Sequence, residues 1–496
     1  MNHLIILPIL WPLLVALLTM LPPFDQNLLL RRCLSIGGSA VLVLLSVLLV
    51  LQSSDTPAQL YQLGNWPAPF GISLLLDQVS SLMLCLTSVL ALAASLYASS
   101  GEDENGPFFH ALLHFQVMGI NGAFLTADLF NLFVFFEVLL IASYSLLIHG
   151  GGKAKTKAAV HYVILNLVGS AMFLFALALI YGASGTLNML DLGTKVATLS
   201  DTQLQLLQAA VALLLVVFGL KAAVMPLHFW LGNAYSSASP AVAALFAIMT
   251  KVGIYSLLRV FAMVLQDAGF VADWVFPVLW WTGLLTIVMG VLGVLASEDL
   301  RKMASYLVIV SVGSLVAILS LGTAEAIQAL LYYLVHSTLA TAALFLLADL
   351  IANQRGKAGD RLVNGRKMAQ PVLLGTAFIV VALSVVGMPP FSGFIGKLLL
   401  LQAVPQGSTM LWYWSFLLGS SLMLLIALSR AGSILFWQVS GSDVEARLAG
   451  RRRASALLLL VIASPLLSLF AGPLTAWCQA AAAQLQQIAT LSPGAF

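Results

Sequence analysis

Charged residues are scarce in this chain: they make up 8% of 496 positions, against roughly a quarter in an ordinary soluble domain, while 61% of positions are hydrophobic. That balance excludes a soluble globular protein. Cysteine is almost missing too. Its three copies, Cys33, Cys85 and Cys478, lie far apart with no CxxC, CxxCH or ferredoxin spacing, which argues against a disulfide framework, covalent haem and an iron–sulfur cluster. No GxGxxG or Walker A run is present to hold a nucleotide. His110, His114, His149 and His161 lack a metal-ligand spacing, and no Ser/His/Asp grouping points to nucleophilic catalysis. The chain reads as a non-enzyme with no cofactor, no bound metal and no nucleic-acid partner.

What is present is apolar sequence in runs of about 20 residues, the length needed to cross about 30 Å of hydrocarbon. Spans are read at about 4–22, 33–52, 72–98, 109–127, 129–149, 159–182, 207–230, 239–265, 274–296, 303–321, 326–350, 371–401, 411–438 and 454–476. The expected fold is an all-α polytopic membrane protein with about fourteen transmembrane helices. Met1 opens the first span without a basic n-region or a cleavage site, so that segment is read as a retained helix. With the N-terminus outside, the inner loops hold 16 of the 22 basic residues: Arg31, Arg32, Lys153, Lys155, Lys157, Arg301, Lys302, Arg355, Lys357, Arg361, Arg366, Lys367, Arg447, Arg451, Arg452 and Arg453. Only Lys195 falls in an outer loop, and this asymmetry sets the orientation, with both termini outside.

Two stretches of the chain echo each other in order. Ala127-Asp128-Leu129 returns as Glu298-Asp299-Leu300, Tyr162 and Phe175 as Tyr332 and Phe345, Met225-Pro226 as Met388-Pro389, and Thr250-Lys251-Val252-Gly253 as Ser429-Arg430-Ala431-Gly432. Each unit has five spans, 109–265 and 274–438, and an odd number makes the second run inverted through the membrane, a transporter architecture. The N-terminal helices occupy 1–108, and a last span with a tail occupies 439–496. Prolines interrupt spans seven and twelve, at Met225-Pro226-Leu227-His228 and at Gly387-Met388-Pro389-Pro390-Phe391-Ser392-Gly393. Such breaks are tolerated in lipid only where they are buried in protein or line a wet cavity.

Five ionisable residues lie deep inside spans. Glu137 is near mid-depth, and Lys221, just before the first break, is the group expected to pair with it. Lys251 stands eleven residues past Pro240, too deep to reach a headgroup readily. His336 and Lys397 lie at similar depth, and a histidine between lysines suits proton relay. A buried charge of this kind must be neutralised, paired or hydrated, which makes each a candidate for an ion pathway. His228 is a further candidate relay. Arg259 and Arg430 read as anchors at span ends, Asp77 and Asp128 as helix starts, and Glu102-Asp103-Glu104 as a solvated loop.

The run from Asp128 to Tyr144, centred on Phe135-Phe136-Glu137-Val138, and the earlier Leu76-Asp77-Gln78-Val79-Ser80-Ser81-Leu82-Met83 resemble a known family. It is that of the antiporter-like membrane subunits shared by respiratory complex I and the Mrp (Mnh, Pha, Sha) cation/proton antiporters, and the chain looks most like the D branch of the Mrp complex. The likeness covers nearly the whole chain. It implies two inverted five-helix repeats within fourteen helices, helices seven and twelve broken, and proton transfer along Glu137, Lys221, Lys251, His336 and Lys397, with waters near His228. Lysine at 397 departs from those complex I paralogues that carry glutamate. Ser384 stands where a repeat of Lys221 would fall, and Val308 lies opposite Glu137, so the two halves are not expected to work alike.

The resemblance implies a secondary-transporter subunit in a bacterial inner (plasma) membrane that exchanges protons for Na⁺ or K⁺ beside a larger homologous A subunit and several small membrane subunits. The alternative is a proton-pumping subunit of a NADH-quinone oxidoreductase or membrane-bound hydrogenase complex. A third reading, an inert scaffold, would keep the same charges as static pairs.

Overall fold

A computed structural model describes residues 3–266, 268–439 and 448–489 of the chain. Arg447 and the last seven residues of the tail lie outside the described residues. In chain order the first helices are α1 (Leu7–Thr19), α2 (Leu28–Asp55), α3 (Gln78–Ala98), α4 (Phe109–Leu125), α5 (Leu129–Ile148) and α6 (Lys153–Ser184). Next come α7 (Met189–Lys195), α8 (Asp201–Ala222), α9 (Leu231–Ser237), α10 (Pro240–Phe246), α11 (Met249–Arg259), α12 (Phe276–Leu295) and α13 (Leu300–Leu319). The last are α14 (Ala324–Arg355), α15 (Pro371–Val386), α16 (Ser392–Gln402), α17 (Ser408–Gly432), α18 (Arg451–Leu469) and α19 (Ala471–Ala489). Among the described residues eleven helical stretches are long and apolar enough to cross a membrane, with α10 and α11 counted in one, and α1, α15 and α16 are shorter apolar helices.

An apolar run without water pairs its backbone groups within itself, so it becomes helix, and short polar side chains cap the starts of several of these helices. Asn27 accepts from the amides of Leu29 (3.0 Å) and Leu30 (3.2 Å). Asp77 accepts from Ser80 N at 2.8 Å while Asp77 N donates to the Ser80 hydroxyl at 2.9 Å, a reciprocal cap. Asp128 and Asp299 each accept from the amide three residues on at 2.7 Å.

Among the described residues one pair of strands interrupts the helices. Strands β1 (Gln59–Gln62) and β2 (Ser73–Leu76) pair antiparallel, so α3 starts at Gln78 rather than at 72, where hydropathy alone places the span. At the other end α18 stops at Leu469, short of the expected 476, and α19 follows it. This tail helix bonds to the ends of three others, through Gln484 to Gln78 N, Thr475 O to Gln328, and Trp477 to Ser54.

Parallels run between the two echoing stretches. Helices α5 and α13 both have 20 residues, and α6 and α14 both have 32. Each leading aspartate sits in a short antiparallel bridge to a later loop, Asp128 to Asn188 and Asp299 to Arg361. The helical run Pro240–Val264 is buried along its whole length, and α13 and α14 are nearly so, whereas α2, α6, α12, α17 and α18 leave apolar faces exposed. The lysine of α11 and the histidine of α14 therefore sit at the centre of the molecule.

Candidate functional site

Two interrupted helices organise the site. Helix α8 ends at Ala222, with Ala223 in the left-handed region at φ 62°, and the chain stays non-helical until α9. The freed backbone finds new partners: Val224 N donates to Gly219 O (2.8 Å), Met225 N to the Thr286 hydroxyl of α12 (2.8 Å), and Trp230 Nε1 to Leu220 O (3.2 Å). Lys221, in the last turn of α8, is buried and lies 5.7 Å from the centre of the Phe136 ring.

Lys221 does not form the expected direct ion pair with Glu137. Its Nζ donates to Asn166 Oδ1 at 3.2 Å, while Glu137 Oε1 accepts from the Ser170 hydroxyl. Asn166 and Ser170 are one turn apart on α6, which stands between the two ionisable groups and gives each a neutral partner. The carboxylate remains within electrostatic reach of the ammonium. Neither Asn166 nor Ser170 stood out in sequence, although two polar residues at i and i+4 in an apolar span mark a polar stripe on one helix face.

Helix α11 passes directly against the broken end of α8. Gly253 makes this possible, since a Cβ there would fall 2.6 Å from Ala222 N. Lys251, half a turn earlier on α11, is fully buried and finds no acid among the described residues: its Nζ donates to the hydroxyls of Ser311 on α13 (3.1 Å) and Thr250 (3.4 Å). Ser311 also lines a cavity of about 10 Å³ with Tyr333, His336, Ser337 and Thr341, about enough room for one water. The cavity spans the space from the hydroxyl that meets Lys251 to the imidazole of His336.

His336 continues the line. Its Nδ1 is 2.8 Å from the Ser392 hydroxyl at the start of α16, Ser392 is 2.8 Å from Ser464 of α18, and Ser464 in turn meets Ser384 of α15. Helix α15 ends at Gly387, whose φ of 89° a side chain would strain. Across this second break Lys397 of α16 reaches back and donates to the carbonyls of Val386 (2.8 Å) and Val385 (3.1 Å), and to the Ser421 hydroxyl of α17 (2.8 Å). An ammonium at a helix C-terminus is well placed, because the last carbonyls lack helical partners. Lys397 also borders a cavity of about 230 Å³ lined by Met388, Leu398, Leu418 and Ser421. The structure thus links Lys251 to His336 through Ser311 and the small cavity, and His336 to Ser384 through Ser392 and Ser464; Lys397 sits across the second break on partners of its own, and Lys221 lies at the first break, against α11.

His228 is half-buried beyond the first break, and its Nδ1 has no hydrogen-bond partner among the described residues. Nearby, Lys157, His161, Trp230, Asn233 and Ser237 border a cavity of about 540 Å³. Trp230 separates that space from the carbonyl beside Lys221 and stacks on Tyr162 at 5.0 Å.

Three groups read from sequence as peripheral are buried instead. Arg259 is no headgroup anchor: at 2% exposure it pairs with Asp77, with Nη1 to Oδ2 and Nη2 to Oδ1 both at 2.6 Å. Asp77 therefore caps α3 and ties it to α11. The loop Glu102-Asp103-Glu104 is not simply solvated, since Glu102 is 8% and Asp103 2% exposed. A loop is polar by composition whether water or a buried partner satisfies it, so hydropathy could not tell these cases apart. No group of three or more His, Cys, Asp or Glu side chains suited to a metal occurs among the described residues.

The chain is similar to known proteins along most of its length. The family described as NADH:quinone oxidoreductase/Mrp antiporter, transmembrane, matches residues 126–425. The D-type subunit of a probable K⁺/H⁺ antiporter of Rhizobium meliloti is 40% identical, covering 98% of this chain and 96% of its own length. The D-type subunit of a Na⁺/H⁺ antiporter of Bacillus subtilis is 37% identical, over 96% and 95%. In a solved Mrp complex from a Dietzia species, one chain superposes with a TM-score of 0.88 at 27% identity, with 98% of each chain covered. The chain belongs to the NADH:quinone oxidoreductase/Mrp antiporter family of membrane proteins.

Proposed function

We propose that this chain is the proton-translocating membrane subunit of a multi-subunit Na⁺(K⁺)/H⁺ antiporter, working in a bacterial plasma membrane beside a larger A-type subunit and several small ones. One observation carries the reading. Three buried bases without acidic partners among the described residues, Lys251, His336 and Lys397, lie between two interrupted helices, the first two joined by a hydroxyl and a water-sized cavity and the third across the second break from the hydroxyls that continue from His336. A buried ammonium held by neutral oxygens can lose its proton without leaving a carboxylate stranded, so each lysine alternates between charged and neutral forms. Glu137 biases Lys221 through Ser170 and Asn166, and movement about the α8 break changes that bias. The D-type antiporter subunits to which the chain is similar support this assignment over a redox-driven complex.

The reading extends to architecture. Equal helix lengths, matching aspartate caps and two left-handed helix ends support two inverted five-helix units, 109–265 and 274–438, within fourteen spans. The basic end, carrying Arg32, Lys155, Arg301 and Arg453, faces the cytoplasm. The test is cation-induced collapse of a preformed pH gradient in inside-out vesicles from an antiporter-deficient host carrying the whole gene cluster, with assembly measured in parallel. Wild-type vesicles should respond to Na⁺ or K⁺, and assembled Lys221→Ala complexes should not. An assembled wild type without a cation response refutes the assignment.

A further inference from the structure

Neighbouring carboxylates in the loop after α3 are treated in opposite ways. Asp103 accepts from Arg32 Nε (2.7 Å) and Nη2 (2.6 Å), and lies 3.0 Å from His110 Nε2. Burial acts to raise its pKa, but Arg32 and His110 outweigh it and hold the carboxyl well below the usual range. Glu102 turns instead into the space between α3, the start of α10, α14 and α18. It is 8% exposed and forms no ion pair among the described residues. Its Oε2 accepts a long hydrogen bond from Ala241 N at 3.4 Å, in the first turn of the run that carries Lys251.

The other oxygen of Glu102, Oε1, is buried with no well-aligned hydrogen bond among the described residues, and so are the hydroxyls of Ser100 and Ser239 and the Nε of Arg453, although Ser239 lies close enough to Glu102 to favour its carboxylate. Ser239 faces Glu102, and Arg453 donates to Ser100 O at 3.2 Å, so these atoms belong to one locus. Buried polar atoms are nearly always satisfied, and a cluster left open calls for a specific reason. Hydroxyls supply one, because they donate to a carboxylate and accept from a carboxylic acid by rotation alone.

We propose that Glu102 is a proton-loading carboxyl at the basic end of the molecule, which takes a proton from the aqueous phase on that side and holds it against the first turn of the helix that carries Lys251. The inference rests on the antiporter reading. The step is a simple exchange: a proton from water binds the carboxylate oxygen to give the neutral acid, and leaves by the reverse path. Burial, and after it the charge of Asp349, pushes Glu102 up to about 7, where it is half-occupied near neutral pH. The other groups facing it are Tyr97 of α3, which donates to Asp349 at 2.8 Å, Arg453 of α18 and Lys155 of α6, with Arg301 of α13 held on Asp349 at 3.3 Å; α10 brings no titratable group, only the Ala241 amide and, just before it, the Ser239 hydroxyl.

A hydrophobic carbodiimide couples to protonated carboxyls in apolar surroundings, and its adduct is located by peptide mass spectrometry on the intact wild-type complex. Glu102 should be labelled at mildly acid pH, with labelling falling about tenfold per pH unit above neutral, and Asp103 should stay unlabelled. In vesicles, Glu102→Gln should flatten the dependence of cation-driven proton flux on pH at the basic side, and Glu102→Asp should keep it. Glu102 unlabelled at every pH, or an assembled Glu102→Gln complex with the wild-type pH profile, overturns the proposal. The labelling needs no transport and no substituted protein. A wild type that labels but shows no cation response therefore refutes the antiporter reading and leaves Glu102 as a proton-exchanging group.

Discussion

Removing Asp77 tests how the Lys251 helix is held in place. Arg259 lies eight residues beyond Lys251, about 12 Å along the helix axis, and its guanidinium is committed on every side. Asp77 takes two contacts at 2.6 Å, Tyr255 Oη accepts from Nε at 2.8 Å, and the Tyr255 ring lies 4.9 Å from the guanidinium carbon. With side-chain exposures of 2% and 1%, neither charge is hydrated. Asp77→Ala therefore leaves a buried cation without its counter-charge and also removes the α3 cap, for a loss of about 3–5 kcal/mol from the pair and about 1 kcal/mol from the cap. Arg259→Ala strands the carboxylate at a similar cost. The double substitution removes both stranded charges, so it should cost clearly less than the two single losses together. Melting of the detergent-solubilised complex, followed by size-exclusion of a fluorescent fusion, measures all four proteins. Single variants that melt with the wild type, or losses that simply add, would refute the reasoning.

Gly393→Ala would place a Cβ 1.7 Å from Ser384 O and 2.9 Å from His336 Nε2, so α16 must shift away from the relay; assembled complexes should lose about a hundredfold in proton flux, a scale typical of misplacing a reacting group by about 1 Å. Asn166→Leu removes the oxygen that accepts from Lys221, and by the worth of a hydrogen bond to a charged group flux in the vesicle assay should fall about tenfold or more. Glu102 also predicts a stability trend. Its raised value in the folded chain means that the native state binds the extra proton, so the Glu102 contribution to stability is fully present below about pH 4.5 and declines by about 3 kcal/mol as pH rises through about 7, a slope component that Glu102→Gln should remove from melting curves at graded pH. Asp103 has the opposite sign: its contribution is present above the ordinary carboxylate range and lost only in strong acid, so Asp103→Asn should lower melting temperatures evenly from about pH 5 to 8.

The sequence by itself determined that this is a multi-span helical membrane protein, because runs of about 20 apolar residues have only one way to satisfy their backbone in lipid. It also pointed to Glu137, Lys221, Lys251, His336 and Lys397, since an ionisable group in such a run is costly enough to stand out. Prolines marked both breaks for the same reason. Partnership was not legible. Asn166, Ser170, Ser311, Ser392 and Ser464 are ordinary small polar residues in apolar spans, and only the packing of α6, α13, α16 and α18 turns the first four towards the ionisable groups and Ser464 towards Ser392. The burial of Glu102 and the pairing of Asp77 with Arg259, 182 residues apart, were likewise decided by the tertiary structure. Hydropathy reports what one segment costs to place in lipid, whereas hydrogen bonds and ion pairs depend on which segments meet, and that is set by the packing of the whole chain.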